Sequence, residues 1–199
     1  SGTYGTRSKD VKAYLDAHQD EEVDIAVSSP GGYVDEGLTI YQLIKDHGHV
    51  NVHILGMTAS IATVLCMGAK HVDMSVGSTM LIHNASTGVA VWESANKQKL
   101  DELIKQWQKQ RDDLDTIDKV IASVYAKRSG KTSEEMLKQM GKENWLSPEQ
   151  ALELGLVDEI RDLDDKVEIK VGAKISTELE SFSLICNILH IKKTWSVSY

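Results

Sequence analysis

Ser60 follows a glycine and three small or apolar residues, Gly56-Met57-Thr58-Ala59-Ser60. It precedes a run that is apolar nearly all round, Ile61-Ala62-Thr63-Val64-Leu65-Cys66-Met67. Such a run reads as a buried helix, which sets Ser60 at a helix N-terminus just after a strand. A serine in that place most often caps the helix by accepting a backbone N–H. The same place also suits a nucleophile, because the positive end of the helix dipole and the free N–H groups of the first turn stabilise an oxyanion. The arrangement is that of a nucleophile elbow in principle, although Gly-x-Ser-x-Gly is absent. A serine hydroxyl is a poor nucleophile without a base. Of seven histidines, His83 ends an apolar strand, Met80-Leu81-Ile82, and precedes Asn84-Ala85-Ser86. That puts it at the sheet edge where the segments after Val27 and Leu55 also emerge. The plainer reading of His83 is a half-exposed histidine at a strand end. A histidine base needs an acceptor to hold its tautomer, and thirty Asp and Glu residues leave that acceptor open.

Two further groups bear on chemistry. Ser29-Pro30-Gly31-Gly32 stops a buried strand; its glycines permit positive φ and leave backbone N–H groups uncovered. In open α/β sheets that edge is where ligands sit, though a plain tight turn has the same composition. His47, His49 and His53 are close in sequence but straddle a helix end and a strand, with no carboxylate at ligand spacing, so no metal site is expected. Nothing in the sequence calls for a cofactor.

The elements that must position these residues follow from periodicity. Ser8 to Gln19 reads as a helix with Ser8 as N-cap and Val11, Tyr14 and Leu15 on one stripe. Val23 to Ser29 reads as a strand, Val34 to His47 as a helix closed by Gly48, and Val50 to Leu55 as a strand ended by Gly56. Val72 to Met74 and Met80 to His83 are two more strands. Strands alternating with helices give βαβ units and a largely parallel sheet. From about Trp92 to Arg128 the chain is charged, free of Gly and Pro, and repeats apolar residues every seven: Leu100, Trp107, Leu114 and Ile121, with Leu103, Ile117 and Val124 beside them. That is a long helix with a coiled-coil-like stripe, interrupted at Gln110. It either packs on its own domain or meets another subunit. Thr132-Ser133-Glu134-Glu135 and Ser147-Pro148-Glu149-Gln150 are capping boxes, the second with proline at the first helical position. Leu156 to Ile160 reads as a strand. The stretch from Phe182 to Tyr199 has no assigned place in the domain.

Composition sets the outer limits. A chain of 199 residues with 41% apolar and 26% charged residues is one ordinary globular domain or one domain with an appendage. A net charge of −8 argues against a general binder of nucleic acid or of anionic membranes. Only two prolines, Pro30 and Pro148, rule out a proline-rich linker. Two cysteines, Cys66 and Cys186, lack any framework or ligand spacing and fit a reducing compartment, hence a cytoplasmic setting. No apolar run is long enough to span a membrane. The start, Ser1-Gly2-Thr3-Tyr4, is not that of a signal peptide and lacks an initiator Met.

Four segments now combine. Ser29-Pro30-Gly31-Gly32, Gly56-Met57-Thr58-Ala59-Ser60, Met80-Leu81-Ile82-His83 and Trp145-Leu146-Ser147-Pro148-Glu149-Gln150-Ala151 with Gly155-Leu156-Val157-Asp158 occur in that order. Together they resemble the ClpP family of serine peptidases over residues 8 to 160. Ile82-His83-Asn84 and Glu143-Asn144-Trp145-Leu146 are most similar to the phage and prophage ClpP-like group, whose role is head maturation. The resemblance implies an α/β, crotonase-like fold of repeated β-β-α-type units with a long handle helix, matched by residues 92 to 128. It implies Ser60 as nucleophile, His83 as general base and Glu143 as the acid, where the cellular branch has Asp. It implies the N–H groups of Gly32 and Ile61 as oxyanion donors. It also implies a homo-oligomer of seven-membered rings joined through the handle, with protein or peptide substrates. The loop by which such rings dock an ATPase would lie upstream, so an ATPase partner is compatible with the resemblance but has no support in these residues. The family's first strand would precede Tyr4-Gly5 and is missing from this sequence.

The expectation is a serine endopeptidase in residues 1–162, with residues 163–199 as a C-terminal extension of unassigned role. In a phage setting its substrates would be capsid or scaffold proteins. Two other classes share the fold: a catalytically inactive structural subunit, and an acyl-CoA hydratase or isomerase of the crotonase type. The second uses glycine-lined oxyanion holes without needing the Ser60 and His83 pair.

Overall fold

The structure is a computed structural model that describes residues 5–90, 94–162, 169–170 and 189–191. The chain divides into two units. One comprises Ser1–Ile82 with Asn144–Tyr199, and the other His83–Glu143.

The first unit is a sheet with helices. Its elements are α1 (Ser8–Ala17), β1 (Val23–Ser29), α2 (Val34–His47), β2 (Val50–Ala59), α3 (Ile61–Cys66), β3 (His71–Ser75) and β4 (Thr79–Leu81). The second unit contributes α4 (Lys97–Ser129) and α5 (Ser133–Met140), after which the first resumes with β5 (Trp145–Leu146), α6 (Pro148–Leu154) and β6 (Glu159–Arg161). Two short strands, β7 (Ile169–Lys170) and β8 (Leu189–Ile191), complete the described residues. The sheet runs β5-β4-β2-β1-β8-β7, with β3 between β2 and β6. The pairs among β1, β2, β3, β4 and β6 are parallel; β5 and β8 join antiparallel.

Alternation drives the core. Val23, Ile25 and Val27 of β1 stand in register with Val50, Val52 and Ile54 of β2, and the last two pair in turn with Val72 and Met74 of β3. All eight are buried. Each fully buried aliphatic side chain contributes roughly 1.5–3 kcal/mol of transfer free energy. Val11 and Leu15 of α1 and Ile40, Tyr41 and Ile44 of α2 are buried too, and α3 is buried on every side. A parallel β1-α2-β2 unit follows directly from the hydrophobic period changing from two to about 3.6 and back.

Several intervening positions of the same strands are polar. Asp24, Asn51, His53 and Asp73 alternate with the apolar set, and Arg161 of β6 joins them. His53 Nδ1 bonds Asp73 and its Nε2 lies 3.3 Å from Asp24 Oδ1. Asn51 donates to Asp24 at 2.9 Å, and Arg161 Nε donates to Asp73 at 2.9 Å. Burial alone would drive His53 toward neutrality, but its hydrogen bonds to Asp24 and Asp73 outweigh that and hold its pKa above the usual histidine value.

Several expectations are corrected. Ser8 is not the N-cap of α1: that position is Arg7, and the Ser8 N–H instead donates to Glu36 at 2.6 Å. The second strand does not end at Gly56. β2 runs on to Ala59, pairing with β3 over Asn51–Ile54 and with β4 over Met57–Ala59. Its register against β1 shifts between Val27 and Ser29. A Cβ at Gly56 would stand 2.8 Å from Ser28 Oγ, so the glycine permits this close passage instead of stopping the strand. The last expected strand is displaced to Glu159–Arg161, because Gly155 closes α6 and Leu156 and Val157 are buried in the following turn. Phe182 to Tyr199 lies outside the described residues apart from the short β8.

The second unit is built on α4, which begins at Lys97 and not near Trp92. Asn96 accepts the Lys99 N–H at 2.9 Å and so caps it; residues 91–93 lie outside the described residues. Its C-terminal half buries Ile121, Ala122, Val124 and Tyr125, and α5 packs on it through the fully buried Met136 and Met140. Both capping boxes form as the sequence predicts, Thr132 with Glu135 and Ser147 with Gln150.

Candidate active site

The strand-to-helix corner after β2 ends in Ser60. Its backbone adopts φ 60° and ψ −138°. Among the described residues only Ser60 and Glu143 have positive φ without being glycine. Such a backbone costs roughly 1–3 kcal/mol and persists only where the surroundings impose it. The imposing contacts are visible. The Ser60 N–H donates to the Leu81 carbonyl at 2.9 Å, which prolongs the β2–β4 pairing by one bond. The Ser60 carbonyl accepts from the Thr63 amide at 2.9 Å and from the Thr63 hydroxyl at 2.6 Å. Ser60 stands at the N-cap position, yet its hydroxyl makes no capping bond. The side chain is therefore not engaged in the role a serine most often has there.

The turn after β1 lies against this corner. Gly31 has φ +106°, and a Cβ on it would stand 2.6 Å from Ser60 Cβ and 3.1 Å from Ser60 Oγ. Its N–H donates to Ser29 Oγ at 3.2 Å, which ties the turn to the strand it leaves. Gly32, the next residue, is exposed, with open space where a Cβ would be. Ile61 is the first residue of α3, where a helical N–H has no intrahelical acceptor. Gly31, which the sequence offers only as half of a Gly-Gly turn, is thus the tighter steric neighbour of Ser60. A side-chain-free backbone approach is the signal behind it.

His83 and Glu143 are the two ends of the second unit. His83 lies two residues beyond Leu81 and outside β4; Glu143 lies two residues before Trp145. In the sheet, Leu81 pairs with Trp145 and Met80 with Leu146. The chain thus leaves the sheet toward His83 and returns from Glu143 at one antiparallel pair. His83 is half-buried and Glu143 exposed, with φ 50° and its N–H donated to the Met140 carbonyl at 3.1 Å. No hydrogen bond joins His83 to Glu143. Pro148, near Glu143 in sequence, opens α6 as predicted. Among the described residues no group of three or more His, Cys, Asp or Glu side chains is arranged to hold a metal ion, and no helix is long and apolar enough to cross a membrane.

Ser60 thus stands strained at a strand-to-helix corner, its hydroxyl uncommitted to capping, with a glycine turn abutting it. Residues 11–164 match the Clp protease family, and the chain belongs to that family. It is 31% identical over 146 residues to the ATP-dependent Clp protease proteolytic subunit of Deinococcus radiodurans, covering 72% of this chain and 66% of that one. The proteolytic subunit of Dehalococcoides mccartyi is 30% identical over 146 residues, covering 71% and 66%. The chain thus spans just under two thirds of the length of these relatives. A solved structure of a ClpP1 mutant from Listeria monocytogenes shares the fold, with a TM-score of 0.62 at 20% identity, covering 79% of this chain and 85% of that one.

Proposed function

We propose that the chain is a serine-type endopeptidase acting by acyl transfer. The backbone of Ser60 is the observation that carries this reading: a positive-φ serine, uncommitted to capping, at the N-terminus of a buried helix. Ser60 Oγ attacks the scissile carbonyl. His83 takes its proton and returns it to the leaving amine. Glu143 accepts the other ring N–H and stabilises the imidazolium. The N–H groups of Gly32 and Ile61 receive the oxyanion. In hydrolases without substrate such hydrogen bonds are often long and tighten on binding.

The assembly proposed for it is a ring-shaped homo-oligomer joined through α4. Leu100, Ile104 and Trp107 are 48%, 49% and 38% exposed along the N-terminal half of that helix, where its own unit leaves the apolar stripe uncovered. Peptides and proteins of the cytoplasm are its proposed substrates. The Ile82-His83-Asn84 and Glu143-x-Trp145-Leu146 forms favour capsid or scaffold proteins of a phage or prophage among them.

A fluorophosphonate probe tests this. We expect covalent labelling at Ser60, and a fall in peptide turnover of roughly 10⁴–10⁶-fold in Ser60→Ala with the fold intact. Substantial peptidase activity in purified Ser60→Ala would exclude the mechanism.

A further inference from the structure

Asp118 is a buried carboxylate that the proposed mechanism does not use. It lies in the middle of α4 and is the only charged residue among those buried on that helix. One turn to either side stand Leu114, Asp115, Ile121 and Ala122, none of them a cation, so no helix-surface pair accounts for it. Asp115, the nearest carboxylate, is taken by Lys119 at 2.6 Å. Asp118 Oδ1 instead accepts the backbone N–H of Ala85 at 2.6 Å, across 33 residues of sequence.

Ala85 is two residues after His83. The segment from Ile82 to Ala90 has neither helix nor strand, so no ladder holds its backbone. In this segment Asn84 Oδ1 is buried and has no partner. The bond from Ala85 to Asp118 therefore fixes the Asn84–Ala85 peptide plane, and with it the exit of the chain from His83. A backbone N–H donated to a buried carboxylate oxygen is a strong tether for such a segment.

We propose that Asp118 is a positioning residue: it holds the backbone on which the His83 ring is carried, through the Ala85 N–H. This rests on His83 being the general base. The chemistry needs an oxygen acceptor at this place more than it needs a charge. Asp118→Asn retains such an oxygen, Asp118→Leu removes it while keeping the same branching, and Asp118→Glu displaces it by one methylene.

The test compares these variants in the full chain by peptide hydrolysis, by the rate of fluorophosphonate labelling, and by NMR of ¹³C-labelled histidine with the His83 signal assigned through His83→Gln. We expect kcat to fall about 10²-fold in Asp118→Leu, the cost of a small misplacement of a reacting group, with KM nearly unchanged and labelling slowed in parallel. The His83 ring signal should shift or broaden in that variant while the other histidines keep theirs. Asp118→Asn should recover most of kcat. Should Asp118→Leu not fold, Asp118→Glu must show the same loss of kcat and the same change at His83. Wild-type kcat and an unmoved His83 signal in the folded Leu or Glu variant would overturn the proposal, as would Asp118→Asn being as impaired as Asp118→Leu. The peptidase reading fails separately: Ser60 then goes unlabelled in the wild-type protein, while the His83 signal still reports whether Asp118 holds its segment.

Discussion

Gly31 and Ser60 lie so close that a Cβ on Gly31 would stand 2.6 Å from the Ser60 Cβ, nearer than two such carbons approach in real proteins. At φ +106° Gly31 also adopts a backbone that other residues resist. The turn after β1 and the corner after β2 are thus fitted to one another, and each limits where the other can move.

Gly31→Ala therefore acts on Ser60 twice, through strain in the turn and through contact with the Ser60 side chain. We expect a folded protein with a lowered melting temperature and at least about a 10²-fold loss of kcat/KM, the scale of a 1 Å displacement at a reacting centre. Thermal unfolding and fluorophosphonate labelling measure the two effects. Wild-type labelling in Gly31→Ala would mean that the corner tolerates the added methyl and that its geometry is not critical.

The uncovered stripe on α4 predicts self-association. Ile104→Glu with Trp107→Glu places two charges where apolar surface is exposed, while Ile121, Val124 and Tyr125, which anchor the helix in its own unit, are untouched. Native mass spectrometry or sedimentation should show smaller species, with helix content by circular dichroism unchanged. An assembly of wild-type size would locate the contact elsewhere.

The cluster around His53 predicts a pH dependence of stability. Asp24 and Asp73 face the ring from β1 and β3, Arg161 reaches Asp73 from β6, and Asn51 reaches Asp24 from β2 itself. With His53 protonated the two carboxylates are matched by two cations. The folded pKa is raised, so this stabilisation is fully present below the unfolded value of about 6.5 and is lost as pH rises through the folded pKa. The melting temperature of wild type should fall relative to that of His53→Gln between pH 6 and pH 9. Parallel curves for the two proteins would show that His53 does not carry the linkage.

Ser147 offers a plain test of local structure. Its hydroxyl accepts the Gln150 N–H at 3.3 Å, and the Gln150 side chain returns the bond to the Ser147 N–H at 2.9 Å. Ser147→Ala removes half of that box and should cost about 1 kcal/mol, read from urea unfolding. A neutral result would mean that Pro148 and the burial of Ala151 hold α6 unaided.

Much of this was legible from residue patterns, for a physical reason. A capping box, an αL glycine after a helix and the alternation of β1 depend on residues within a few positions of one another, so Thr132, Ser147, Gly48 and Val23–Ser29 took the predicted places. Ser60 and His83 stand out in the sequence because a buried helix starts just after the one and an apolar strand runs just before the other. Other features arise between residues far apart in the chain. β2 exchanges β3 for β4 as its partner near Gly56, which a local reading of glycine as a strand breaker misses. The positive φ of Ser60 comes from the Leu81 carbonyl and the crowding of Gly31; no propensity of serine favours it. Leu81 pairs with Trp145 across 64 residues of sequence, and the bond from Ala85 to Asp118 spans 33 residues. Periodicity records which face of an element is buried, but only the packed chain decides which distant backbone each exposed N–H and carbonyl will meet.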